Sequence, residues 1–227
     1  KSQREFLRNS LPNFIQNNLP KVINYGSISG VDFSRFNKPT LSEKAIYRNK
    51  LNIDKNKFVM LFVGRINKDK GVKTLIEIFR RHLIRFPNDI LICVGPSEDQ
   101  DLKRLLIKEK NIIYKGFVFK IEQYFRIADL LIFPSFREGF GSTAIEAAAC
   151  GVPVIGSDIP GLRDSIIDKF NGFLINPYDV KEFINSIRKL RYTKLHKEFS
   201  KNSVIFTKER FPEDEVVSTF IKYLEKI

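Results

Sequence analysis

The sequence predicts an α/β protein built on a doubly wound, Rossmann-like parallel sheet, and three observations carry that expectation. Short runs such as residues 59–63 and 130–133 are apolar throughout, as strands covered on both faces are. Amphipathic helical patterns separate these runs with regularity, the rhythm of βαβ crossovers. Turn residues then follow the apolar runs, so loops starting at Gly64, Gly95, Gly116, Pro134 and Ser157 fall at the carboxyl ends of strands, where such sheets bind ligands.

Along the chain, residues 1–17 place Phe6, Leu7, Leu11, Phe14 and Ile15 at mostly helical spacing, interrupted by Pro12, and residues 21–24 read as a short strand. A helical pattern covers 41–51. A strand at 58–63 leads to an amphipathic helix at 72–86 with Leu75, Ile76, Phe79 and Leu83 inward. The alternation continues with strands at 90–94, 112–114, 130–133 and 153–156, and helices at 101–108, 121–127 and 142–150. After the apolar segment 172–175, helical segments at about 179–190, 194–209 and 213–226 close the pattern.

A chain of 227 residues, 43% of them hydrophobic, can bury the core of one large domain. Its apolar runs stop well short of the roughly 18 residues a membrane span needs, so no transmembrane helix is expected. It begins at Lys1 without an apolar leader, which suggests part of something longer. Cys93 and Cys150 read as packing residues, which fits a cytoplasmic protein. His82 and His196 lie far apart beside charged residues and read as surface positions, not a metal site. The net charge of +13 favours anionic partners, whether nucleic acid, acidic headgroups or a phosphate-bearing substrate, and does not choose among them.

Two loops carry the chemistry. In Gly64-Arg-Ile-Asn-Lys-Asp-Lys-Gly71, Arg65 and Lys70 sit at a strand's carboxyl end, a planar fork of donors and a mobile point charge that suit one diphosphate. The alternative is a basic turn that caps a helix. No Walker A pattern is present. The second loop runs from Pro134-Ser135 through Arg137-Glu-Gly-Phe-Gly141 into a helix beginning Ser142-Thr143, whose amides offer an anion seat. Glu138 lies in this loop and Glu146 more than a turn into the helix, so the two carboxylates meet different parts of one ligand. A carboxylate can accept paired hydrogen bonds from ribose hydroxyls. Glu146 stands among Ala144, Ile145, Ala147, Ala148 and Ala149, where an acid needs a partner.

Glu138, seven intervening residues and Glu146, followed by Ala147-Ala-Ala-Cys-Gly-Val-Pro-Val154 and Ser157-Asp-Ile-Pro-Gly161, resemble the retaining GT-B glycosyltransferases of family four. Gly64-Arg65 with Lys70-Gly71, Gly116-Phe117-Val118, and Ala128-Asp129 before Pro134-Ser135 match in order, from about Lys21 onward. Tyr25 to Phe36 is similar to the family's Asn-Gly-Val-Asp segment, in a form associated with capsule, exopolysaccharide and lipopolysaccharide synthesis.

The resemblance implies the C-terminal half of a GT-B fold: residues 1–20 from the end of an acceptor domain or its linker, 21–211 the donor-binding Rossmann-like domain, and 212–227 a helix crossing back. It implies a bacterial enzyme that transfers a sugar, with retention and without a metal or other cofactor, from a nucleotide-diphosphate sugar, expected to be a UDP-sugar. The acceptor would be a glycan or lipid-linked molecule held through the preceding domain. By it Arg65 and Lys70 bind the diphosphate, Glu146 the ribose and Glu138 the sugar; these first two and Glu138 form the catalytic set. Gly64, Ser135 and the backbone of Gly139, Phe140, Gly141, Ser142 and Thr143 line the phosphates and sugar, and Gly116, Phe117 and Val118 the base. A cytoplasmic location with peripheral contact at the inner membrane face follows, without nucleic acid as a partner.

Asp99-Gln-Asp101 mimics a metal-binding Asp-x-Asp pattern but stands where acids cap a helix. The alternating aromatic and basic residues 114–120 read as core aromatics, since no nucleic-acid-binding motif accompanies them. A non-catalytic nucleotide-sugar-binding module and a GT-B-like nucleotide-sugar epimerase are the alternative functions.

Overall fold

The computed structural model describes residues 2–10, 22–27 and 29–225. Helix α1 (Ser2–Ser10) and a 3-10 turn (Asn24–Gly26) precede α2 (Leu41–Lys50), which Thr40 and Glu43 start with a reciprocal capping box. Then strand and helix alternate: β1 (Val59–Val63), α3 (Val72–Leu83), β2 (Ile90–Val94), α4 (Gln100–Lys108), β3 (Ile112–Tyr114), α5 (Glu122–Ile127), β4 (Leu130–Phe133), α6 (Ser142–Ala149), β5 (Val154–Ser157) and β6 (Gly172–Ile175). Helices α7 (Val180–Leu190), α8 (Lys194–Arg210) and α9 (Glu213–Leu224) follow.

All strand pairs are parallel, in the order β3-β2-β1-β4-β5-β6. The direction of winding reverses between β1 and β4, where Met60 pairs Leu130 and Leu61 pairs Leu131. Such a reversal opens a crevice beyond the strands' carboxyl ends.

The strands are apolar throughout because each face has its own core. Val59, Leu61, Ile90, Ile92, Leu131 and Phe133 pack with Phe125, Ala144, Ala147 and Phe206 from α5, α6 and α8. The alternate residues Phe58, Met60, Phe62, Leu91, Cys93, Leu130 and Ile132 pack with Leu75, Phe79, Leu102, Phe183 and Ile187 from α3, α4 and α7. Cys93 and Cys150 are buried, unpaired thiols, as expected.

The chain's approach to the sheet and its departure are zipped together. Val31 N–H donates to the Phe211 carbonyl at 2.8 Å, Glu213 N–H returns to Val31 at 3.3 Å, and Asn24 reaches the Val216 carbonyl at 2.8 Å. Tyr25 packs edge-on against Phe211 beneath the Arg210 guanidinium.

Several expectations need correction. The expected strand at 21–24 is not one: Asn24 opens the 3-10 turn with a positive φ of 48°, and Lys21 lies outside the described residues, as do residues 11–17 of the first expected helix. Neither histidine is a free surface residue. His82 is fully buried, its Nε2 2.7 Å from Asp89 Oδ2, and Asp89 also takes two 2.8 Å bonds from Arg191. His196 is partly buried with Nε2 2.7 Å from the Asp129 carbonyl. Phe117 and Phe119 are not core aromatics: they are 66% and 87% exposed and pack edge-to-face on each other, because the segment after β3 leaves the sheet.

Candidate functional site

The β1–α3 and β4–α6 loops flank the winding reversal, and the backbone locks them together. Phe136 N–H donates to the Asp69 carbonyl at 2.7 Å. Gly71 adopts a left-handed φ of 66° as the N-cap of α3, and a Cβ there would strike the Pro134 carbonyl. Gly161 makes a second close approach, with no room for a Cβ against the Glu138 carbonyl. Gly139 is different: a Cβ built there meets no atom within 4 Å, so no protein contact demands glycine and the space stays open to a ligand.

Within this frame four charged side chains form two ion pairs. Lys70 Nζ lies 2.6 Å from Glu138 Oε1, with side chains only 16% and 7% exposed. Arg65 pairs with Glu98 at 2.7 Å in a more exposed position, and Glu98 also accepts from Asn67 at 2.8 Å. Hydrogen bonding to Glu98 raises the Arg65 pKa further, while bonds from Asn67 and Arg65 hold Glu98 below the usual carboxylate range. Arg65 and Lys70 are therefore each held by a carboxylate, and the two pairs are close enough for Glu138 to act on Arg65 and Lys70 on Glu98. Glu98 is a partner of Arg65 that sequence reading missed; its position just after β2, in the loop from Gly95, is the signal that could have found it.

Helix α6 begins at Gly141, again left-handed with φ 72°, and no side chain caps it. Ala144 N–H bonds the Gly141 carbonyl at 2.8 Å, while the Ser142 and Thr143 amides, without a capping side chain, can serve as a seat for an anion. Ser142 is exposed and Thr143 partly so, whereas the Phe140 ring packs against Phe211 at 5.5 Å, leaving its backbone to meet a ligand. Ser135 is fully buried, and its Oγ has no hydrogen-bond partner.

Glu146 is partly buried a turn and more into α6, and its carboxyl has no hydrogen-bond partner among the described residues. Burial pushes its pKa up to about 7, against the opposing pull of Arg35. A half-buried carboxyl with a raised pKa and no protein partner is the kind of group found at functional sites. Gly116, with φ 63°, turns the chain after β3; Val118 tucks partly against the core, and Phe117 stays exposed at the sheet's edge.

Asp99 caps α4, accepting from the amides of Asp101 and Leu102 at 3.0 Å, so the Asp-x-Asp pattern is a helix start. Among the described residues no cluster of three or more potential metal ligands occurs, and no helix is long and apolar enough to cross a membrane. Asp129 is structural too, binding Arg48 and Lys44 at 2.7 Å and the Val59 amide at 2.8 Å.

The fold is that of the Rossmann-like, C-terminal half of GT-B glycosyltransferases. Residues 43–220 match the model of the family described as glycosyl transferases group 1, and the chain belongs to that family. It is 31% identical over 183 residues to the capsular polysaccharide biosynthesis glycosyltransferase CapM of Staphylococcus aureus, an overlap covering 78% of this chain and 47% of CapM. The chain thus spans about half the length of the curated relatives it matches. In fold it is similar to sucrose-phosphate synthase of Thermosynechococcus elongatus, with a TM-score of 0.83 at 24% identity over 99% of this chain and 56% of that one. Alr3699/HepE of Anabaena, solved in complex with UDP-glucose, superposes with a TM-score of 0.78 at 24% identity over 87% of this chain and 56% of its own.

Proposed function

We propose that this chain is the donor-binding part of a retaining glycosyltransferase that takes a sugar from a nucleoside-diphosphate sugar, a UDP-sugar in the first instance. The observation that carries this is the mouth of the crevice: Lys70 against Glu138, Arg65 against Glu98, and the uncapped start of α6 bring two cations, a backbone anion seat and a half-buried loop carboxylate to one winding reversal. Arg65, Lys70 and the α6 amides bind the two phosphates and stabilise the charge that grows on them as the glycosidic bond breaks. That supply of positive charge is the reason to expect transfer without a metal ion. Glu146 takes the ribose hydroxyls, Glu138 the sugar, and the turn at 116–118 the base.

In the same reading residues 21–211 are the donor domain, and 1–20 and 212–227 are its connections to an acceptor-binding domain. The acceptor is a glycan or a lipid-linked one, in keeping with the similarity to a capsule enzyme. UDP and UDP-glucose in complexes of the Anabaena neighbour support a UDP-sugar donor.

Calorimetry against UDP, GDP and ADP, with and without EDTA, tests this. Binding of one of them in the micromolar range, unchanged by chelation, is expected. Absence of binding to all three would sink the donor-site reading.

A further inference from the structure

Helix α1 packs across the loop that carries Glu138. Ser2 anchors it: its amide lies 2.6 Å and its hydroxyl 2.8 Å from Asp164 Oδ2, and the hydroxyl also bonds the Pro160 carbonyl. One residue on, the Gln3 side-chain amide donates to the Glu138 carbonyl at 3.2 Å and to the Gly139 carbonyl. Gly161 presses on the Glu138 carbonyl from the loop 159–164, leaving no space for a Cβ. The Glu138 peptide is therefore held from two directions, by a side-chain donor from α1 and by a glycine backbone.

We infer that Gln3 is a positioning residue for sugar selection: its amide fixes the Glu138–Gly139 carbonyls so that the Glu138 carboxylate faces the donor sugar. This rests on the proposed role of Glu138. In the free protein Lys70 holds that carboxylate directly, at 2.6 Å. A donor diphosphate draws the Lys70 ammonium toward its own charge, and the carboxylate then loses its side-chain restraint. What still aims it is the backbone, and the backbone is held by Gln3. Beside the clamp, Gly139 has open space where a Cβ would stand, so Gln3 holds its carbonyl without a side chain filling that space. A residue more than a hundred positions from the loop thereby tunes which sugar is accepted, without touching the sugar itself.

The test compares Gln3→Met, similar in size and helix preference but without a donor, with Gln3→Arg, which restores N–H donors. Each full chain is titrated with the nucleotide sugar that the unmodified chain binds best among UDP-, GDP- and ADP-sugars, and with the matching nucleoside diphosphate. Gln3→Met is expected to bind the nucleotide sugar about tenfold more weakly while leaving the nucleoside diphosphate within twofold, and Gln3→Arg to recover most of the loss. Amide hydrogen exchange across 138–141 should quicken in Gln3→Met and not in Gln3→Arg. Equal weakening of both ligands, or unchanged sugar affinity and exchange, overturns the positioning role. If the unmodified chain binds the nucleoside diphosphate but gains no affinity from the sugar, the Glu138 assignment falls and this inference with it; if it binds neither ligand, the donor-site reading is what has failed.

Discussion

The ammonium of Lys70 lies 2.6 Å from Oε1 of Glu138, so the cation expected at the donor phosphate is already occupied by the carboxylate expected at the donor sugar. A diphosphate must compete for it. Glu138→Gln is therefore expected to tighten binding of a free nucleoside diphosphate about three- to tenfold, roughly 0.7–1.4 kcal/mol, while abolishing the extra affinity contributed by the sugar. Lys70→Met should weaken both ligands tenfold or more. Isothermal titration reads all of these, and weaker nucleoside diphosphate binding by Glu138→Gln would contradict the competition.

If Glu146 takes the ribose as proposed, donor binding is expected to depend on pH. Its carboxyl titrates near 7 because burial disfavours the charge, yet ribose hydroxyls bind best to the carboxylate. Nucleotide-sugar affinity, read with a ligand whose diester phosphates do not titrate here, should fall as pH drops from 8 through about 7 to 6, and Glu146→Gln should bind weakly with a flat profile over that window. The linked effect on stability has the opposite sense. The folded state holds a proton more tightly than the unfolded chain, so this group favours folding below its ordinary pKa of 4.5 and that advantage disappears as pH rises through about 7. Glu146→Gln should accordingly be more stable than the parent at pH 8, by about 1–2 kcal/mol after allowing for partial exposure. Urea melts at pH 5 and pH 8 give the comparison; equal differences at both would remove the linkage.

Gly161→Ala tests the backbone contact beneath Glu138. Its methyl group would meet the Glu138 carbonyl, and neither partner is a flexible side-chain end. The loop must shift, at a cost of about 1–3 kcal/mol. Nucleotide-sugar affinity should fall more than that for a nucleoside diphosphate, as titration would reveal.

A different outcome is expected at the amino ends of the strands. Asp89, just before β2, is 1% exposed and joins His82 to Arg191, which stacks on Phe86. Burial alone would raise its pKa, but the bonds from Arg191 and His82 hold the carboxylate below its usual range, so the stabilisation is present above about pH 4 and lost as acid protonates it. Asp89→Ala should cost about 3–5 kcal/mol in urea unfolding while leaving nucleotide affinity of the folded protein unchanged. A large loss of affinity would show that the two ends of the sheet are coupled.

The sheet was legible because both of its faces are buried. A strand such as β1 alternates its side chains between two cores, so every residue must be apolar, and that uniform run stands out in sequence. The positions of Arg65, Lys70, Glu138 and Glu146 beyond strand ends followed from the same regularity. Their partners did not. Lys70 and Glu138 are 68 residues apart and Arg65 and Glu98 are 33 apart, pairings set by the order of strands in the sheet rather than by any local pattern. Helical periodicity placed α1 but said nothing of Gln3 reaching the loop beyond β4. His82 misled because its neighbours Arg81 and Arg85 are charged, while the ring itself turns inward between Phe79 and Phe86. Phe117 and Phe119 misled in the other direction, since aromatic character alone does not report that a turn has left the core.

The zipper between Val31 and Phe211 bears on how this domain can be handled. Both leads emerge side by side, tied by backbone bonds in each direction, so the folded unit behaves as a cassette with its two connectors at one socket. A cut or fusion made at one lead therefore falls beside the other, so both junctions of a transplanted unit would lie together at the Val31–Phe211 seam.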